Sequence, residues 1–145
     1  NQQKLRKRIL SQSDAEILKD MLSYAVENGS GKGARLVGWD VSGKTGTSKK
    51  VINGEYSESE FLASFVGFFP KEDPQLLALI IIDGASVSSN YHWGSMSAAP
   101  VFKSVMQRII NIDKEITDKK FNKKLKNKPI RIDAKIILIN LIKNI

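Results

Sequence analysis

The 145-residue chain has no cysteine, so neither a disulfide framework nor a thiolate metal site can hold it together. Its single histidine, His92, has no carboxylate cluster at ligand spacing and reads as a loop residue beside Trp93. No metal is therefore expected. No apolar run reaches the roughly 18 residues of a membrane span. The nearest, IILINLI over 136–142, is short and is interrupted by Asn140. The opening NQQKLRKRIL lacks the apolar stretch of a signal peptide. Because it does not begin with Met, the chain is expected to start inside a longer one.

What remains is ordinary material for one domain with one core: 41% apolar and 26% charged residues. The net charge of +8 is uneven. Residues 1–10 carry Lys4, Arg6, Lys7 and Arg8 with no acid, residues 11–110 carry nine basic against eleven acidic groups, and residues 111–145 carry ten against four. The basic balance thus belongs to the two ends. A basic end of this kind suits solvation or an anionic surface. One function class is accordingly a non-catalytic protein acting through its basic tail.

Ser13-Asp-Ala-Glu16 fits a capping box, and apolar residues at 17, 18, 21, 22 and 26 predict a helix over about 14–28 with one buried face. Gly29 stands where a C-terminal glycine belongs. FLASFVGFF (61–69) and QLLALIIID (75–83) read as strands joined by the turn Lys71-Glu-Asp-Pro74, and Asn53-Gly54 is a hairpin signal before them. Phe61, Phe65, Phe68 and Phe69 are expected to be mainly core. Pro100 suits the first turn of a second helix with apolar residues at 101, 102, 105, 106, 109 and 110. Short turns between strands predict an antiparallel meander of three strands, flanked by an N-terminal and a C-terminal helix. Residues 112–145, rich in Ile, Asn and Lys, read as an appended tail.

GWDVSGKTGTSKK (38–50) carries two motifs at once. Gly38 to Thr45 fits G-x-x-x-x-G-K-[ST], a phosphate-cradling loop, and LLALIIID ending at Asp83 imitates its magnesium-holding partner. That alternative, a nucleotide-binding module, needs a buried strand before the loop and a helix after it. Three glycines fall in the ten residues before Gly38, and Gly46, Thr47 and Asn53-Gly54 deny it a helix afterwards. Lys44-Thr45-Gly46 also reads K-T-G, which needs a lysine on a strand lining a cleft and a glycine against which a substrate can lie. Alternation sets Val41, Gly43, Thr45 and Thr47 on one face and Ser42, Lys44, Gly46 and Ser48 on the other.

SQSDAEILKDMLSYAVENGSGKGA, VSGKTGTSKK, EFLASFVGFFPKEDPQLLALIIID and YHWGSMSAAPVFKSVMQRII follow one another in this order, and together they resemble the last third of a class B penicillin-binding protein transpeptidase domain. The resemblance covers about residues 9–111; Gly94-Ser95 departs from the glycine pair common in the family. It implies an α/β chain with a partial serine β-lactamase/penicillin-binding-protein transpeptidase fold: residues 1–111 its C-terminal portion, 112–145 the basic tail. It implies a peptidoglycan D,D-transpeptidase, a cell-wall enzyme on the outer, periplasmic face of the bacterial cytoplasmic membrane, serving septal or elongation machinery. Implied partners are peptidoglycan stem peptides, β-lactams and the upstream part of the same domain, with no cofactor and no nucleic acid. By resemblance Lys44 and Thr47 carry the catalytic roles. Lys44 supplies the cation of the cleft, and the Thr47 backbone N–H is the second oxyanion donor. Thr45, Gly46 and Thr47 meet the substrate. No serine has a lysine three residues later, so the S-x-x-K nucleophile is missing and the chain alone is expected to be inactive. Ser88-Ser89-Asn90 fits S-x-N but follows K-T-G instead of preceding it, and reads as coincidence. Without the upstream part, one face of the sheet is expected to lack partners.

Overall fold

The computed structural model describes residues 8–85, 87 and 90–113 in full and 86 and 135–141 as backbone. Helix α1 (Gln12–Glu27) leads through a short 3-10 turn (Lys32–Ala34) to strands β1 (Ser42–Ile52), β2 (Glu55–Phe69) and β3 (Leu76–Ser86), then to helix α2 (Ala98–Ile112) and strand β4 (Lys135–Leu141). The sheet order is β1-β2-β3-β4. The first three strands pair antiparallel, as the short connections require, and β4 adds a parallel strand along Leu76–Ile82. The expected α/β meander between two helices is what forms. Asn53 and Gly54 both take positive φ, 52° and 88°, the geometry of a tight hairpin whose twist matches its strands.

The start of α1 differs from expectation. Ser11, not Ser13, caps it: Ser11 Oγ accepts the Asp14 N–H at 3.0 Å and donates to Asp14 Oδ2 at 2.6 Å. Ser11 occupies the position whose side chain reaches the free N–H three residues on, so the helix gains one turn-start residue pair. The buried face also differs. Of the apolar stripe only Val26 is buried and Leu22 half-buried, whereas Ile17, Leu18 and Met21 are exposed. The helix is instead held from its other side. Ser42 Oγ donates to the Lys19 carbonyl at 3.1 Å, and Asp20 pairs with Lys71 of the β2–β3 turn at 2.6 Å.

The core lies between the sheet and α2. Val41, Phe65, Phe69, Leu76, Ala78 and Ile80 face Ala98, Ala99, Phe102, Met106 and Ile110, joined by Val26, Ala34 and Leu36. Of the four phenylalanines expected inside, Phe65 and Phe69 are fully buried while Phe61 and Phe68 are half-buried. The seat of Phe65 is a pair of glycines directly opposed in register, Gly43 and Gly67. A Cβ on Gly43 would stand 2.5 Å from Phe65 Cζ and 2.7 Å from the Val66 carbonyl oxygen, and one on Gly67 would stand 2.6 Å from Phe65 Cε1. The ring therefore lies flat against bare backbone and meets Phe102 edge-on, with centroids 4.9 Å apart. On the opposite face Val66 is 40% exposed, and Leu62, Phe68, Leu77, Leu79 and Ile81 are only partly buried, as the expectation of a face short of partners holds.

Farther along the hairpin, Lys50 bridges Asp83 Oδ1 at 2.8 Å and Glu60 Oε2 at 3.3 Å, tying β1 to β3 across β2. The Asp83 hydrogen bond, reinforced by Glu60 and opposed by burial, raises the Lys50 pKa above its ordinary value. Lys50 is thus charged at neutral pH, and the stability it adds is lost as pH climbs past the ordinary lysine range.

Two outcomes follow from this packing. Gly67→Ala should destabilise the chain by about 1–3 kcal/mol through overpacking against Phe65. Adding Phe65→Leu should recover part of that loss, so a double-mutant cycle by chemical denaturation should show coupling; strict additivity would place the strain elsewhere. Truncation after residue 134 should lower the thermal midpoint and promote association, because it bares the apolar β3 edge. An unchanged midpoint would mean that β4 adds nothing to the sheet.

Candidate active site

β1 is the last strand of the sheet on its side, so one of its edges is open among the described strands. Lys44 Nζ turns back over that edge and donates to the Thr45 carbonyl at 3.0 Å, with Thr45 Oγ1 at 3.4 Å. The Thr45 carbonyl thus points away from β2. With the two-residue period of an antiparallel strand, the Thr47 N–H and carbonyl point the same way. The edge therefore presents a lysine cation, a carbonyl and an outward amide within one short stretch.

Lys44 differs from its neighbours in what it lacks. Lys49 pairs with Glu58 at 2.6 Å and Lys50 with Asp83 and Glu60, whereas among the described residues no carboxylate lies within 4.0 Å of Lys44 Nζ. An exposed cation held only by a carbonyl and a hydroxyl is free to take an external anion. Gly46 lies on the same face. A Cβ there would meet Ser64 Oγ at 2.5 Å and nothing else close, so the surface over Gly46 is low and otherwise open.

Thr45 and Thr47 lie on the other face and are each engaged from inside. Thr45 Oγ1 is 2.7 Å from Ser30 Oγ, in the loop that follows α1. Thr47 Oγ1 accepts the Gly94 N–H at 3.1 Å. Lys44, Thr45, Gly46 and Thr47 are thus brought together on one edge, joined by two partners that reading the sequence did not find. Ser30 lies in a glycine-rich stretch and Gly94 in a polar one, and neither carries a local signal for a contact fifteen or forty-seven residues away. Gly94 cannot be larger, because a Cβ would stand 2.4 Å from the Ser64 carbonyl oxygen and 2.6 Å from that of Gly46. His92 is buried between Phe61 and Trp93, with ring centroids 5.1 Å and 4.6 Å away, so it anchors this loop as packing. Ser88 and Ser89 of the S-x-N sequence lie outside the described residues.

The phosphate-loop alternative fails on this geometry. Lys44 is inside a strand that continues to Ile52, so no helix N-terminus or amide nest stands behind it. Asp83, its supposed magnesium partner, is taken by Lys50. Among the described residues no group of three or more potential metal ligands occurs, and no helix is long and apolar enough to cross a membrane.

Comparison with known proteins bears on this strand. The model for the penicillin binding protein transpeptidase domain matches residues 1–107. The chain is similar to the peptidoglycan D,D-transpeptidase FtsI homolog of Chlorokybus atmophyticus, 38% identical over 109 residues that cover 74% of this chain and 16% of that protein. It is similar to the protein of the same name from Mesostigma viride, 39% identical over 111 residues, 76% of this chain and 18% of that one. The chain therefore spans less than a fifth of the length of these relatives. Among solved structures it resembles the apo TP domain of penicillin-binding protein 3 from Burkholderia pseudomallei, with a TM-score of 0.60 and 26% identity, over 73% of this chain and 32% of that one.

Gly94→Ala should cost about 1–3 kcal/mol, because its methyl group meets two backbone carbonyls that cannot swing aside. Thr47→Val, which exchanges the hydroxyl for a methyl group and leaves the Gly94 N–H without its acceptor, should cost about 1–3 kcal/mol. Thermal unfolding of both variants checks this; a neutral Gly94→Ala would mean that the loop does not rest on β1.

Proposed function

The chain belongs to the penicillin-binding protein transpeptidase domain family, and on that basis we propose that it contributes the carboxylate-binding strand of a peptidoglycan D,D-transpeptidase active site. Residues 1–111 form the C-terminal portion of that domain and 112–145 a basic tail. The observation that carries this reading is Lys44: a cation on an open strand edge, without a carboxylate partner among the described residues, beside the low surface of Gly46.

In this reading the serine nucleophile comes from the upstream part of the domain. Its Oγ attacks the penultimate D-Ala carbonyl carbon of a stem peptide, and the carbonyl oxygen becomes an oxyanion. The peptide C–N bond breaks, and terminal D-Ala leaves as its amine after taking up a proton. An amine of a second stem peptide then attacks the acyl-enzyme, forming the cross-link and returning the proton to the serine. Penicillin enters the same site and stops at the acyl stage. Lys44 draws in the substrate or β-lactam carboxylate and raises the potential of the cleft. The hydroxyls of Thr45 and Thr47 donate to that carboxylate, and Gly46 leaves room for the ligand backbone. The outward Thr47 N–H supports the oxyanion, a contribution typically worth about 10²- to 10³-fold in rate. The site would face the periplasm or outer surface of a membrane-anchored cell-wall assembly, septal or elongating. No cofactor enters any step.

Fluorescent penicillin tests this. The 145-residue chain alone should form no covalent adduct, and joining it to the upstream portion of a matching domain should restore labelling. In the joined form Lys44→Ala should slow acylation by about 10²-fold or more, the scale for removing one preorganised electrostatic contact. Gly46→Val should block labelling, and Thr47→Ser should be mild. Stoichiometric labelling of the chain by itself, or indifference to Lys44→Ala, would sink the assignment.

A further inference from the structure

The loop after α1 has few side chains to hold it, yet its backbone is tightly fixed. Both glycines that flank Ser30 donate their N–H groups to the Ala25 carbonyl, Gly29 at 3.1 Å and Gly31 at 3.0 Å. A Cβ on Gly29 would stand 2.9 Å from that same carbonyl oxygen, and one on Gly31 would stand 3.0 Å from Val26 Cα. The chain on either side of Ser30 is therefore pressed against the last turn of the helix, and Val26 ties that turn to the core. Ser30 is thus an exposed side chain on a fixed backbone. Its hydroxyl lies 2.7 Å from Thr45 Oγ1, and either oxygen can supply the hydrogen. Between exposed neutral groups such a bond adds little stability, because water competes for both partners. What it controls is direction.

A threonine hydroxyl has one hydrogen and two lone pairs. At Thr45, Lys44 Nζ can only donate, and it lies 3.4 Å from Oγ1 and 3.0 Å from the carbonyl. We infer that Ser30 is a positioning residue whose bond to Thr45 reverses when an anion enters the site. The inference rests on the carboxylate-binding reading above. In the empty site the Lys44 ammonium faces one lone pair of Thr45 Oγ1, and Thr45 passes its hydrogen to Ser30. When Lys44 turns to a carboxylate, that lone pair is vacated. Ser30 then donates into Thr45 Oγ1, and the Thr45 hydrogen goes to the carboxylate. Two hydroxyls rotate, and no proton changes its oxygen. Because Ser30 is exposed, water satisfies whichever of its groups falls free, so neither state leaves a polar group unmatched. Without the Ser30 hydroxyl, Thr45 meets the anion with nothing behind it to set its hydrogen outward. Thr45 contacts the carboxylate and not the carbonyl under attack, so Ser30 governs ligand binding and not the chemical step.

The test uses the chain joined to the upstream portion of a matching domain. Acylation by fluorescent penicillin over a concentration series separates the half-saturating concentration from the limiting rate. Ser30→Ala should raise the half-saturating concentration by about 3- to 10-fold, the scale of one neutral hydrogen bond, while the limiting rate holds. Ser30→Thr, which keeps the hydroxyl, should avoid most of that loss. Beside Thr45→Val no hydroxyl is left to orient, so Ser30→Ala should there add nothing further. A loop that had merely loosened would show its effect in both backgrounds. Four results would each overturn the inference while leaving the acyl-transfer reading intact: a Ser30→Ala form that saturates like the unaltered one, an effect confined to the limiting rate, an effect that Ser30→Thr shares in full, or one that persists undiminished beside Thr45→Val. Failure of the unaltered joined form to label at all removes the acyl-transfer reading, and the inference with it.

Discussion

The contact on which most of the structure depends is the Phe65 ring lying over Gly43 and Gly67. Two bare backbones opposed in register leave a trough, and one aromatic ring fills it. This fixes the separation and register of β1 and β2, since a slip by one residue would place a side chain under the ring and turn every face over. It also sets the depth of α2, because Phe102 packs edge-on against the same ring. Lys44 follows Gly43 directly, so the glycine that seats the core also places the cation. Core and site are thus specified by adjacent residues on opposite faces of a single strand, and neither can shift without the other.

That economy explains why so much was legible in the chain itself. The Asn53-Gly54 turn, the alternation along 41–48 and the two apolar strands are local patterns, and each formed where the spacing put it. The edge position of Lys44 was also within reach, because K-T-G needs a strand and the residues after it forbid a helix. What stayed hidden was longer in range. Periodicity reported that α1 has an apolar stripe but not which side the sheet would take, and the polar anchors at Lys19 and Asp20 decided the matter in the unexpected sense. The cap falls at Ser11 and not at Ser13 because Ser11 Oγ takes the Asp14 N–H, while the Ser13 hydroxyl bonds to Ser11 Oγ. The contacts of Ser30 and Gly94 with the two threonines have no sequence signature at all. Strand β4 falls within the segment that reads as an appended basic tail, since its pairing joins residues about sixty apart in the chain.

The two threonines show how a scaffold can prepare a site without any ligand present. Each would lose its orientation if left alone on an open edge, yet each is tied from within, Thr45 to the loop after α1 and Thr47 to the loop before α2. These loops are supports for one strand brought in from opposite ends of the chain, and they hold the hydroxyls where a rotor would otherwise wander.

The bond from Gly94 to Thr47 has a further effect on what the edge can recognise. An amide N–H that occupies a hydroxyl's lone pair leaves the hydroxyl hydrogen as its outward feature. Thr47 keeps its hydrogen to donate, with one of its two lone pairs already taken. On the carboxylate-binding reading proposed above, it would join a lysine that can only donate in reading the polarity of a chain terminus and not merely its shape. A free carboxyl end offers acceptors to both groups. An amidated end of nearly the same size would set an NH2 group against a row of hydrogens. Discrimination between a chain end and a mid-chain or capped amide can thus arise from one glycine N–H that never touches the ligand.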